Sequence, residues 1–74
     1  MDTKEITTRI ESYVKSCGCT VHSTDGGLVQ IIHKTGKVAV TIGPDGTVAR
    51  TDPGKGGQAL FGVAGVKKLR ELLA

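Results

Sequence analysis

The chain has 74 residues, a formal net charge of +3 and 3% aromatic residues, which is one domain near the lower limit of what folds without staples. It holds no apolar stretch long enough to span a membrane, and Met1 to Glu11 mix charges with threonine where a secretory signal would carry an apolar run. Cys17 and Cys19 are too few and too close for a disulfide framework, so they read as thiols in a reducing cytoplasm.

From the N-terminus, Asp2 followed by Glu5 fits a capping-box-like helix start. Ile6, Ile10, Tyr13, Val14 and Cys17 then share one helical face, and Gly18 stands where a positive-φ residue would end the helix. These signals predict a first helix over about 3–17. Cys19 to Thr24 read as an opening strand with Val21 facing the core.

Three turn signals divide the middle: Asp25-Gly26-Gly27, Thr35-Gly36 and Gly43-Pro44-Asp45-Gly46. A two-residue turn at Thr35-Gly36 would pair Lys34 with Lys37, His33 with Val38, Ile31 with Val40 and Val29 with Ile42. One face of that hairpin is apolar, and the other carries Lys34, Lys37, Gln30, Thr41, Ile32 and Ala39. Pro44-Asp45-Gly46 suits a tight turn closed by a left-handed glycine, which pairs Ile42 with Val48 and Val40 with Arg50. The two turns agree on which face is apolar.

Thr51 to Gly57 form a glycine-rich loop, and Gln58 to Phe61 fit either an irregular turn or a first helical turn. Val63, Val66, Leu69, Leu72 and Leu73 then recur at helical spacing, with Lys67, Lys68, Arg70 and Glu71 outward. Gly62 and Gly65 weaken the start of this helix by about 1 kcal/mol each relative to alanine. The reading is a single α+β domain over residues 1–74. An antiparallel meander of three or four strands has both helices packed on one face, in the order α-β-β-β(-β)-α.

Side chains that could carry chemistry are dispersed. Cys17, Cys19, His22 and His33 are metal-ligand types without the paired spacing of a zinc site, and buried cysteine with ordinary strand histidines explains them. Asp25, Asp45 and Asp52 sit in separate turns, where aspartate serves turn geometry. No nucleophile has an oriented base. The reading is therefore a non-enzyme without cofactor or metal.

Positive charge gathers toward the C-terminus, where Lys55, Lys67, Lys68 and Arg70 oppose Asp52 and Glu71. The loop Pro53-Gly54-Lys55-Gly56-Gly57 lacks the lysine and hydroxyl pair of a Walker loop, and its backbone could still approach an anion. The chain has one tyrosine and one phenylalanine, which disfavours recognition of single strands by aromatic stacking.

A helix, a short meander and a second helix in this length resemble the layout of double-stranded RNA-binding domains, and of the HicA-like toxins that share it. The resemblance implies basic residues near the last helix meeting phosphates, a part open here to Lys55, Lys67 and Lys68. Where those toxins place a histidine at the start of the second strand, this chain has Gly27 and Leu28, which argues against ribonuclease activity. The expected function is a nucleic-acid-binding module contacting phosphates through Arg50, Lys55, Lys67, Lys68 and Arg70, with double-stranded nucleic acid as partner. The alternative is a protein-interaction domain that uses the open sheet face or an edge strand.

Overall fold

A computed structural model describes residues 3–52 and 54–74; the cap expected at Asp2 and the loop position Pro53 lie outside them. The element order is α1 (Thr3–Ser16), β1 (Thr20–Ser23), β2 (Val29–Ile32), β3 (Val38–Ile42), β4 (Val48–Arg50) and α2 (Val63–Leu73). The four strands form one antiparallel sheet in the order β1-β2-β3-β4. This is the expected helix–meander–helix layout, with the opening strand formed.

Helix α1 buries Ile6, Ile10 and Val14, which are wholly inaccessible. It stops because Gly18 adopts φ 80°. The Cys19 N–H then reaches back to the Val14 carbonyl at 2.9 Å and the Gly18 N–H to that of Lys15 at 3.1 Å, a Schellman ending. That ending reverses the expected roles of the cysteines. Spacing alone puts Cys17 on the apolar face, but Cys17 is exposed and Cys19 folds under beside Val14 in the core.

All three hairpins close in the same way. The N–H groups of Gly27, Gly36 and Gly46 bond the carbonyls of Thr24, His33 and Gly43, and the glycines take φ of 84°, 89° and 87°. Each loop therefore has three residues, the last a left-handed glycine. This corrects the two-residue turn expected at Thr35-Gly36. His33 faces Lys37, donating to its carbonyl at 2.8 Å, and Ile32 faces Val38. The register shift between Ile31 and Ile32 leaves Ala39 as the extra residue of a β-bulge, after which Ile31–Val40 and Val29–Ile42 pair as expected. Ala39 is buried, so it does not join Ile32 on the outer face.

Val29, Ile31, Val40, Ile42 and Val48 form one cluster with the stripes of both helices, so α1 and α2 lie on the same face of the sheet. Burying such an aliphatic side chain contributes about 1.5–3 kcal/mol. Helix α2 starts at Val63 with Gly62 as its N-cap, and residues 58–62 form no helical turn. Phe61 is buried and meets Tyr13 edge-on, with ring centroids 6.4 Å apart. A Cβ at Gly65 would lie 2.6 Å from the Phe61 ring. Glycine is thus a packing requirement at this position, beyond its cost to the helix. No described helix is long and apolar enough to cross a membrane.

Candidate anion-binding groove

The register of the third hairpin decides where Arg50 goes. Val40 faces the core, and Arg50 is its partner across the strands, so the Arg50 side chain leaves β4 on the helix side of the sheet. On α2, Val63, Lys67 and Arg70 are spaced i, i+4 and i+7 and share one flank. The two sets meet in an open groove of ≈ 530 Å³ lined by Arg50, Val63, Val66, Lys67 and Arg70. Arg70 also borders a second depression, of ≈ 410 Å³, with Asp45, Thr47, Val48 and Leu73. Together these hollows follow β4 from the turn before it to its last residue.

Three of the five cations expected to contact phosphate therefore converge: Arg50 on one wall, Lys67 and Arg70 on the other. Lys68 does not line the groove, because consecutive helical residues are about 100° apart and Lys67 takes the groove side. Lys55 sits in the exposed 54–57 loop, also away from the lining. In that loop the Gly54 N–H bonds the Asp52 carboxylate at 2.9 Å, so the chain satisfies this amide itself.

The electrostatics of the two helices differ. On α1, Arg9 pairs with Glu5 at 2.9 Å and Lys15 with Glu11 at 3.0 Å. Among the described residues Arg50, Lys55, Lys67, Lys68 and Arg70 make no ion pair. Helix α2 has no acidic residue in its first turn and no side-chain cap, so no carboxylate offsets the positive end of its dipole. The three cations lining the groove are held in no ion pair of their own.

One carboxylate, Asp45, borders the second depression. Hydrogen bonds from the Thr47 backbone N–H and hydroxyl hold its pKa below the usual carboxylate value, so it stays ionised and marks an acidic end to the groove. Away from the groove, burial and the neighbouring Cys17 push the Cys19 thiol up. Among the described residues no three His, Cys, Asp or Glu side chains gather as a metal-binding group.

Periodicity alone assigns Val63 to the apolar face of α2, but it is 71% exposed. Spacing alone does not separate Val63 from Val66, Leu69 and Leu73, which form the buried stripe, because Val63 is three residues from Val66 as well as four from Lys67. The chain matches no known protein family, no curated protein and no solved structure, and its likeness to the RNA-binding domains is one of element order.

Proposed function

We propose that the chain is a small cytoplasmic, non-enzymatic nucleic-acid-binding module that contacts the phosphate backbone through the groove between β4 and α2. The observation that carries this reading is the convergence of Arg50, Lys67 and Arg70 on one open groove without carboxylate partners of their own. Two arginines and a lysine supply forked and point-charge donors for phosphate oxygens. Lys55 and Lys68 widen the positive field without touching the groove. The lining of cations and valines offers binding groups, with no oriented nucleophile and base. The exposed free thiol of Cys17 suits a reducing compartment.

The test is a titration of labelled nucleic acids at low and physiological salt. Binding should weaken steeply with salt. The double variant Lys67→Glu/Arg70→Glu should lose at least about tenfold in affinity, since each charge-assisted contact is worth about 1.5–3 kcal/mol. Lys55→Glu should change it much less. Absence of binding to any nucleic acid at low salt would overturn the reading. A protein partner is the second reading, favoured by Ile32 and Val38, which face each other half-buried on the helix-free side of the sheet. A salt-insensitive partner lost on Ile32→Asp would establish it.

A further inference from the structure

We infer that the groove beside β4 takes an unpaired strand of nucleic acid, seating a sugar or base against Val63 while Arg50, Lys67 and Arg70 hold the flanking phosphates. The inference rests on the nucleic-acid reading above and adds the form of the ligand. Three kinds of group meet along β4, and each matches one part of a nucleotide.

The first is charge. The cations stand on both walls, Arg50 on the strand and Lys67 with Arg70 on the helix, so a ligand passing between them is a thin polyanion held from two sides. The second is apolar surface. Val63 is 71% exposed between these cations and Val66 lies beside it in the lining. Beside the phosphate-binding cations, that apolar surface can take the face of a sugar or base.

The third is the strand edge. The Gly43 N–H bonds the Thr47 carbonyl at 2.8 Å and the Thr51 N–H bonds the Ala39 carbonyl at 2.9 Å. Ile42–Val48 and Val40–Arg50 are therefore the pairs without mutual bonds, and Val48 and Arg50 turn their N–H and C=O groups to the open edge. Among the described residues no strand lies beyond β4. Such donors and acceptors can read base edges, which a duplex keeps paired and an unpaired strand presents. Stacking on aromatics plays no part, because Phe61 is buried and Tyr13 packs against it.

The experiment compares a labelled single strand, the same sequence as a duplex and an acidic peptide of matching charge, by anisotropy over a salt series, with ¹⁵N spectra of the complex. The single strand should bind at least about tenfold tighter than the duplex, whose paired bases cannot present their edges to β4. Val63→Ser should weaken it about three- to tenfold, the scale of one lost apolar contact, without changing the slope of log K against log salt. Arg70→Gln should flatten that slope by about 0.7, one phosphate contact on a single strand. The amides of Val48 and Arg50 should shift on binding, and those of Val21 and Ser23 should not. Val63 is exposed, so its variant should fold, which circular dichroism would verify.

Tighter duplex binding with the same dependence on Arg70 would overturn the inference and keep the nucleic-acid reading. An unchanged affinity in Val63→Ser would likewise overturn it. Equal competition by the acidic peptide would overturn it in favour of a protein ligand. Absence of binding to any nucleic acid would overturn both readings.

Discussion

Strands β1 and β4 both end the sheet, and each turns the backbone groups of two residues outward: Val21 and Ser23 on β1, Val48 and Arg50 on β4. Their surroundings differ. Helix α1 is latched over β1, with the Thr7 hydroxyl 3.1 Å from that of Ser23 and the Thr3 hydroxyl donating to the Gly27 carbonyl at 3.4 Å. The i, i+4 pairs of α1 neutralise Arg9 and Lys15. Beside β4, helix α2 leaves a groove and lines it with cations. An open sheet edge invites pairing with other chains, and proteins guard it by covering it or by placing charge on it. At β1, three of whose four residues are exposed, the neighbouring helix adds no unpaired charge to the edge, whereas at β4 the charge is present beside an open groove that leaves room for a ligand.

The largest effect should come from removing what both edges depend on. Ile42 lies in the central strand β3 and is wholly inaccessible. Ile42→Ala should cost about 2–5 kcal/mol, read as a lower midpoint in denaturant. Because a domain this small holds only about 3–5 kcal/mol, both edges should disappear together. Survival of the β1 hairpin alone, seen as retained amide protection at His22 and Gln30, would show that the halves fold independently.

A smaller change should act on the β4 side. Gly65→Ala gains roughly 1 kcal/mol of helix propensity, but its Cβ meets the Phe61 ring at 2.6 Å. Overpacking typically costs about 1–3 kcal/mol, so Tm should fall. The N-terminal turn of α2 should move relative to β4 while the Thr7–Ser23 latch keeps its amide shifts. A higher Tm would mean that the ring swings aside at no cost.

The smallest effect concerns Asp45 at the turn into β4. Its carboxyl pKa is lowered by the hydrogen bonds from Thr47. The group therefore contributes stability that is fully present above the unfolded value, about 3.9, and is lost as pH falls through the lower folded one. Asp45→Asn should flatten that acid-side loss slightly and tighten polyanion binding at neutral pH by removing a like charge. Identical acid unfolding curves for the two proteins would show that the turn does not use the ionised carboxylate.

Much of this comparison is legible in the sequence, because register follows from turns and faces follow from register. Gly43-Pro44-Asp45-Gly46 pairs Val40 with Arg50, and that pairing puts Arg50 on the apolar, helix-covered side of the sheet. Thr35-Gly36 misleads about its own turn. Yet the pairs Ile31–Val40 and Val29–Ile42 stand, because the bulge at Ala39 absorbs the extra loop residue. What resists reading is choice among near-equivalent positions. Spacing admits Cys17 to the α1 stripe, but the left-handed turn at Gly18 makes Cys19 the residue that returns to the core. Spacing also admits Val63 to the α2 stripe, and only the position of β4 decides that it faces outward.

The three glycine-closed loops also bear on the order in which the molecule assembles. Every strand pairs with its neighbour in sequence, so each hairpin can close over a short stretch of chain at small entropic cost, a topology of low contact order that favours rapid folding. The contact of Tyr13 with Phe61 is different, since it joins the first helix to the segment that leads into the last. The groove, being bounded by α2, exists only where α2 is packed beside β4, so it depends on the one closure that spans the chain and not on the hairpins alone.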